Sequence, residues 1–130
     1  MILSAALDSC NVTYATTIKG LAERVGKTAV IVNDCNRNKP IASMKCMLDI
    51  FDLVRRVTPA VVISTGAAPG LFAIIFGKLL GAKTIWIDSV ANSEKMSMSG
   101  KIAGRLADLC LTQWQHLETG KGPRFLGSVL

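Results

Sequence analysis

The chain has 130 residues, of which 50% are hydrophobic and 18% are charged, so the sequence predicts one folded domain and excludes an intrinsically disordered chain. Its net charge of +6 is typical of a protein that meets an anionic partner, such as a phosphate ester or an acidic lipid headgroup. Nucleic acid is not favoured as that partner, because aromatic residues make up only 5% of the chain and no basic run or reading motif occurs.

Six short segments rich in apolar and β-forming residues are predicted to be strands. In chain order they are Asn11–Thr16, Thr28–Asn33, Ala60–Ser64, Lys83–Asp88, Asp108–Gln113 and Phe125–Val129. The third and fourth are apolar on both faces, which is typical of central strands in a parallel sheet.

Helices are predicted between these strands. The first eight residues are predicted to form the end of one helix, and a short helix is predicted near residues 18–25. A longer helix begins near Pro40, ends at Thr58–Pro59, and carries one apolar stripe at three-four spacing, formed by Ile41, Met44, Leu48, Phe51 and Val54. Residues 70–80 predict a buried helix that ends at Gly81, and residues 99–107 predict another.

Alternating strands and helices predict a doubly wound, Rossmann-like parallel α/β sheet in a single domain, residues 1–130. Such sheets bind their ligands at the carboxyl ends of the strands. Before the first predicted strand the sequence opens on a helix, so the strand that usually starts such a domain is expected to be absent. The sheet is then expected to have an unprotected edge, which favours self-association.

No signal peptide is predicted, since residues 1–10 lack a basic start and have only a short apolar run. The charge-free interval between Arg56 and Lys78 is long enough to span a bilayer. Its Pro and Gly breakers favour a strand followed by a helix instead.

The four cysteines, at positions 10, 35, 46 and 110, form no C-x-x-C pair. They therefore predict no zinc site, and no other metal is suggested. Each lies in or beside an apolar segment, so we interpret them as reduced core thiols, typical of a cytoplasmic protein. The single histidine, His116, has no Ser, Cys or acid partner nearby in sequence and is interpreted as a surface residue.

Two segments at predicted carboxyl edges carry candidate binding residues. After the third strand, the turn STGAAPG contains Gly66, Ala67, Ala68 and Gly70. Its small residues let a ligand approach the backbone, and free amides at a helix start suit phosphate. The alternative is a tight turn that needs glycine for its backbone angles. The turn is neither a dinucleotide fingerprint nor a Walker loop.

After the fourth strand, a carboxylate and a polar loop reach the same predicted edge. Asp88 could act as a base or hold a sugar hydroxyl, or it could simply cap the next segment. Ser97 or Ser99 can cap the helix that holds Lys101 and Arg105, two cations that could meet phosphate or form an ordinary solvated face. Trp114 is interpreted as an edge contact or a partly buried anchor.

Taken in order, four segments resemble one family: ISTGAAPG, GKLLGAKTIWIDSVA, MSMSGKIAGRLADLCLTQW and FLGSVL. The family is the membrane-associated, acceptor-side subunit of two-part N-acetylglucosaminyltransferases of asparagine-linked glycosylation, with bacterial relatives in exopolysaccharide and capsule biosynthesis. VTYATT is similar to the family's second strand. More distantly, the chain looks like the amino-terminal half of the glycosyltransferase that makes lipid II.

The resemblance implies the amino-terminal domain of a GT-B glycosyltransferase that lacks its first strand and the glycine-rich loop after it. It implies a UDP-sugar donor held mainly by a partner subunit, a polyprenyl-diphosphate-linked acceptor, and a peripheral location at the cytoplasmic face of a membrane. No cofactor is implied, and the catalytic residues stay unassigned. Where the family has a glutamate this chain has Asp88, and where it has an arginine this chain has Asn92.

On that basis the expected substrate-binding residues form three groups. The first group is a phosphate-facing turn, formed by Gly66, Ala67, Ala68 and Gly70. The second group lines the cleft and consists of Asp88, Ser89 and Asn92. The third group is a second helix-start cradle, formed by Ser99, Gly100 and Lys101. Two other hypotheses stay open: a non-catalytic scaffold that recruits a partner to a membrane, and an unrelated nucleotide-binding α/β protein.

Overall fold

The computed structural model describes residues 5–18, 20, 29–33 and 38–127. These residues form five strands: β1 (Tyr14–Thr16), β2 (Ala29–Ile31), β3 (Val61–Ser64), β4 (Lys83–Ile87) and β5 (Leu109–Leu111). They also form three helices, α1 (Pro40–Val57), α2 (Ala67–Leu79) and α3 (Met98–Leu106), and a 3-10 turn at Gln115–Leu117. Strands and helices alternate from β2 onward, as the sequence predicts.

All strand pairs among the described residues are parallel, which confirms the predicted α/β class. The strands form two separate pieces: β1 pairs with β2, and β4 lies between β3 and β5. Each of β3 and β4 is followed by a helix, so their carboxyl ends meet the helix starts at one edge of the sheet.

The predicted sixth strand is wrong in its described part. Residues 125–127 are not in a strand, and the contact in this region is a single parallel bridge between Leu111 and Arg124. The remaining two residues of that prediction lie outside the described part of the chain. So does nearly all of the predicted short helix at 18–25, and of the first predicted helix only Ala5 and Ala6 are described as helical.

The buried face of α1 differs from the predicted apolar stripe. Cys46, Ile50 and Val54, each four residues apart, are buried and pack against Val32. Of the predicted stripe only Val54 belongs to this buried set; Ile41, Met44 and Leu48 are 76%, 53% and 57% exposed. Three-four spacing identifies an apolar face, but it does not say which face the sheet covers.

Helix α2 lies close to the sheet because glycine permits it. A Cβ at Gly77 would lie 2.7 Å from Cγ2 of Val62 on β3. Ile74 of α2 joins Trp86 of β4 and Cys110 of β5 in a buried cluster. The predicted stop at Gly81 is confirmed, with φ at 88°, but the prediction of a buried helix is wrong at its end, where Leu79 is 75% exposed.

The cysteines divide between core and surface. Cys46 and Cys110 are buried, as predicted, whereas Cys10 is exposed, and Cys35 lies outside the described residues. None of the described helices combines the length and the apolar character that crossing a bilayer requires.

Candidate functional site

Two connections meet the carboxyl edge of the three-stranded sheet. We call residues 64–70, which join β3 to α2, the β3–α2 turn. We call residues 88–100, which join β4 to the first turn of α3, the β4–α3 loop. Together they contain all ten expected binding residues except Lys101, which follows directly.

The backbone of the β3–α2 turn has an unusual shape. Gly66 has φ 130° and ψ −174°, a region that only glycine adopts readily, and the next residue, Ala67, has φ 65°. The amide of Gly66 donates to Oγ of Ser64, 3.3 Å away, which turns the chain back over the end of β3. Positive φ at a non-glycine residue is uncommon and is often found at functional turns.

This turn leaves the start of α2 without a side-chain cap. Gly66 occupies the N-cap position and has no side chain to offer, and Pro69, at the third helical position, has no N–H. The described residues supply no acceptor for the amides of Ala67 and Ala68, and Ala67 is exposed. The start of α2 is therefore a partial positive charge with two open donors.

Gly70 has a packing reason to be glycine. A Cβ at this position would lie 2.0 Å from Oγ of Ser64 and 3.7 Å from the ring of Trp86. Its amide follows the first three helical positions, so it belongs to the helix's own hydrogen-bond series. Of the four predicted phosphate-facing residues, Ala67 and Ala68 therefore present the open amides, and Gly66 and Gly70 shape the turn.

The β4–α3 loop is built in the opposite way, around a buried carboxylate. Asp88 is 1% exposed. Its Oδ1 accepts from Nε1 of Trp86 at 3.2 Å and from Oγ of Ser97 at 2.9 Å. Its Oδ2 accepts from Nδ2 of Asn92 at 3.2 Å and from the amide of Ser97 at 3.3 Å. Four hydrogen bonds fill the accepting capacity of a carboxylate.

Ser97 carries this network into α3. While its hydroxyl donates to Asp88, it also accepts from the amide of Gly100 at 2.9 Å, so Ser97 is the N-cap of α3. The predicted cap is confirmed as Ser97 rather than Ser99. A Cβ at Gly100 would lie 2.7 Å from Oδ1 of Asp88, so this position needs glycine for close packing.

The second predicted cradle, at the start of α3, is thus occupied by the hydroxyl of Ser97. The amide of Lys101 donates to the Ser97 carbonyl at 2.9 Å, and the Lys101 side chain is exposed. Ser99 is half-buried on the same turn. The start of α3 therefore resembles an ordinary capped helix more closely than it resembles the open start of α2.

Further contacts hold the outer part of the β4–α3 loop. Ser89 organises a turn by accepting from the amides of Ala91, through its side chain, and Asn92, through its carbonyl. Trp114 Nε1 donates to the Val90 carbonyl at 3.0 Å, and Nε2 of His116 donates to the carbonyl of Ser93. Trp114 is exposed, at 36%, so it holds the loop from the surface rather than as a partly buried anchor, and His116 is exposed, as expected.

The structure connects the predicted phosphate-facing turn to the predicted cleft-lining residues through a residue that sequence reasoning missed. Trp86 lies under Gly70 and donates to Asp88, so one buried indole touches both the β3–α2 turn and the β4–α3 loop. In the sequence it is one apolar residue of a central strand. The available signal was its spacing of two from Asp88, which places both side chains on the same face of β4.

Electrostatics distinguish the two ends of the sheet. At the loop end, burial and then the negative charge of Asp88 raise the pKa of the Cys110 thiol to about 11. At the opposite end, the amide and hydroxyl of Thr84 hydrogen-bond to Asp108 and hold the pKa of that carboxyl below its usual value. Asp108 is therefore ionised and links the start of β5 to β4 through its hydrogen bonds to Thr84, far from the candidate site.

Comparison with known proteins gives one family. The family model described as "Oligosaccharide biosynthesis protein Alg14 like" matches residues 12–129. Among curated proteins, the chain is 34% identical over 91 residues to the human UDP-N-acetylglucosamine transferase subunit ALG14, which covers 62% of this chain and 40% of that protein. The rat protein of the same name is 33% identical over the same coverage.

A fungal relative and a solved structure extend the comparison. The Candida glabrata protein of the same name is 41% identical over 44 residues, 34% of this chain and 18% of that protein. The chain therefore spans well under half the length of these relatives. The crystal structure of Acinetobacter baumannii MurG superposes on 94% of this chain and 38% of its own, with a TM-score of 0.73 at 11% identity. That likeness shows a shared fold and supports the expected GT-B type of domain.

Proposed function

We propose a function from one established premise: this chain belongs to the Alg14-like family of oligosaccharide biosynthesis proteins. In this proposal it is the acceptor-binding, membrane-recruiting subunit of a two-subunit glycosyltransferase. The enzyme transfers a sugar from a UDP-sugar to a polyprenyl-diphosphate-linked acceptor, and a separate donor-binding subunit holds most of the UDP-sugar. The curated relatives are named as UDP-N-acetylglucosamine transferase subunits, which supports both the donor class and the need for a partner.

The observation that carries the proposal is the open start of α2. A diphosphate presents several anionic oxygens, and the amides of Ala67 and Ala68 point out of a helix start with no acceptor among the described residues. The side chains of Gly66, Ala67 and Ala68 are absent or single methyl groups, which lets a phosphate approach the backbone at these three positions. The chain's charge of +6 favours approach of an anionic lipid.

In this arrangement Asp88 organises the cleft and does not act as a free base. All four of its hydrogen bonds are made within its own strand and loop, and breaking them would unpair buried donors. Ser89, Asn92 and Lys101 then line the outer side of the site. We assign no proton transfer to the described residues, and the proposal has this chain positioning the acceptor for chemistry completed with the partner.

The membrane contact is proposed to be the outer face of α1. Because α1 follows β2, its first turn lies toward the carboxyl edge, the same side as the β3–α2 turn. Its exposed apolar residues Ile41, Met44 and Leu48 lie beside the exposed cations Lys39 and Lys45. Apolar side chains flanked by lysines are typical of helices that lie in an anionic membrane surface. A peripheral location at the cytoplasmic face of the membrane is a further part of this proposal.

The test of function is reconstitution. The chain is co-expressed with a donor-binding subunit, and transfer of radiolabelled N-acetylglucosamine from its UDP derivative to a polyprenyl-diphosphate-linked acceptor is measured. Transfer that needs both chains supports the proposal. Stable association of the two chains without transfer favours the non-catalytic scaffold, and tight UDP-sugar binding by this chain alone favours a separate nucleotide-binding protein.

The membrane contact has its own test in vesicle co-sedimentation. Binding to vesicles that contain phosphatidylglycerol should fall strongly in Ile41→Ser combined with Leu48→Ser. Leu79→Ser is the matched control, because Leu79 is 75% exposed, close to the 76% of Ile41, yet lies at the far end of α2. Equal loss in both proteins would contradict the assignment to α1. Light scattering on the same proteins without vesicles tests the separate prediction of self-association.

A further inference from the structure

Trp114 is held in a fixed orientation at the carboxyl edge of the sheet. It follows β5 and begins the 3-10 turn, so it lies at the same edge as the β3–α2 turn and the β4–α3 loop. Its amide donates to Oγ1 of Thr112 at 3.2 Å, and its carbonyl accepts from the amide of Leu117 at 3.0 Å. Its Nε1 donates to the Val90 carbonyl. These three hydrogen bonds fix both the backbone and the ring, so a ligand that binds there need not order them.

The same hydrogen bonds leave the indole face as the part of Trp114 that can meet a ligand. An indole has one polar hydrogen, and the Val90 carbonyl accepts it. The ring of His116 lies beside the indole, with centroids 6.1 Å apart and planes tilted by 52°, and its Nε2 donates to the Ser93 carbonyl. Both residues are exposed. They form one aromatic surface, which we call the Trp114–His116 platform.

A hydrogen-bond acceptor lies close to this platform. The amide of Asn92 donates to the Ser89 carbonyl at 3.1 Å and closes the turn that contains Val90. Val90 and Asn92 are two residues apart, which is at most about 7 Å of chain. Nδ2 of Asn92 donates to Asp88, so Oδ1, on the other branch of the side-chain amide, is left without a donor among the described residues.

An apolar ring face with a polar acceptor at its side suits a pyranose sugar. The C–H groups on one face of a pyranose pack against an aromatic ring, while its hydroxyl and acetamido groups form hydrogen bonds at the rim. A cation over the rings is disfavoured by the net charge of +6. A bare phosphate would gain nothing from an apolar face.

We propose that the Trp114–His116 platform binds the pyranose ring of a sugar ligand by stacking, with Asn92 accepting a hydrogen bond from the rim of that sugar. The inference deepens the proposed function, on which it rests for the source of the sugar, either the acceptor or the UDP-sugar donor. The stacking itself can be tested without any transfer reaction.

The direct test is a titration of the chain with methyl N-acetyl-β-D-glucosaminide, followed by NMR of the two indole N–H signals. The signal of Trp114 should shift, and that of the buried Trp86 should not. N-acetylglucosaminitol, the open-chain alditol without a ring face, should bind at least about fivefold more weakly. Equal binding of the glycoside and the alditol would overturn the proposal. So would an equal shift of the Trp114 signal with uridine, because the platform would then bind flat rings in general. The glycoside has neither diphosphate nor lipid, so its binding does not need the open start of α2.

Matched variants test the ring. Trp114→Ala should weaken glycoside binding by about tenfold, whereas Trp114→Phe, which keeps a ring face, should retain most of it. Leu106→Ala is the control, because Leu106 is also 36% exposed but precedes β5, at the opposite edge of the sheet. An equal loss in Trp114→Ala and Trp114→Phe, or in Trp114→Ala and the control, would contradict stacking.

The source of the sugar is identified by kinetics of the chain with its donor-binding partner. In Trp114→Ala, a higher KM for a sugar-bearing polyprenyl-diphosphate acceptor alone assigns the platform to the acceptor. A higher KM for UDP-N-acetylglucosamine alone assigns it to the donor. Unchanged KM values for both substrates would overturn the proposal. If the two chains give no transfer, the proposed function fails, and the glycoside titration still decides whether the platform binds a sugar.

Discussion

The β3–α2 turn and the β4–α3 loop occupy equivalent places, since each joins a parallel strand to the helix that follows it. Their local chemistry differs. At the β4–α3 loop a buried carboxylate gathers four hydrogen bonds, and a serine caps the helix. At the β3–α2 turn the N-cap is a glycine with no side chain, and two amides have no acceptor among the residues that the structure describes.

The difference places two kinds of connection at one sheet edge: a loop held rigid by its own hydrogen bonds, and a turn with unused donors. The closed loop uses its polar groups internally, which fixes Trp86 and, through it, the packing under Gly70. The β3–α2 turn rests on that packing, and in our proposal its open amides bind the ligand. We therefore expect changes in the β4–α3 loop to act mainly on stability and changes in the β3–α2 turn to act mainly on binding.

The largest expected effect comes from removing the carboxylate. Asp88→Ala leaves the indole N–H of Trp86 and the hydroxyl and amide of Ser97 without their acceptor, so we predict a loss of about 3–5 kcal/mol in the free energy of unfolding. Urea denaturation measures it. Thr65→Ala, an exposed polar change in the open turn, should cost no more than about 0.5 kcal/mol. Similar losses in Asp88→Ala and Thr65→Ala would contradict a stabilising role that belongs to the β4–α3 loop and not to the β3–α2 turn.

A smaller effect is predicted for the glycine packed against Asp88. Gly100→Ala puts a methyl group 2.7 Å from Oδ1 of Asp88, which should cost about 1–3 kcal/mol. Gly104→Ala in the same helix meets only Sγ of Cys110 at 3.6 Å, an ordinary contact, and should be neutral or stabilise by up to about 1 kcal/mol through helix propensity. Thermal melts of both variants measure the difference in stability. A Gly100→Ala protein as stable as the unaltered chain would contradict close packing between Gly100 and Asp88.

The smallest effect concerns alkaline pH. The pKa of Cys110 is raised to about 11 by burial and by Asp88, so the folded chain keeps its thiol proton longer than the unfolded chain does. The stabilisation from this thiol is complete below about pH 9 and is lost as pH rises toward about 11. Unfolding free energies across that range should fall less steeply in Cys110→Ala. Parallel curves for the two proteins would contradict the assigned cause.

Much of the fold could be predicted from the sequence because its signals are local. Glycine and proline mark the β3–α2 turn, and apolar runs bounded by them mark β3 and β4. The stripe from Ile41 to Phe51 was misleading for a tertiary reason: periodicity identifies a face, whereas the position of the sheet decides which face is covered. Likewise, the sequence places Asp88 at a strand end but cannot show that Ser97, nine residues later, folds back onto it.

The open amides of α2 can be tested most directly by placing one glutamate at the second helical position of each helix, Ala68→Glu in α2 and Ser99→Glu in α3. Both changes favour the helix dipole, so both proteins should fold. We predict that Ala68→Glu weakens binding of farnesyl diphosphate by about tenfold or more through charge repulsion, while Ser99→Glu leaves it nearly unchanged. Farnesol, which lacks the diphosphate, should not distinguish the two variants. Equal diphosphate affinity in both variants, or a greater loss in Ser99→Glu, would contradict diphosphate binding at the open amides of α2.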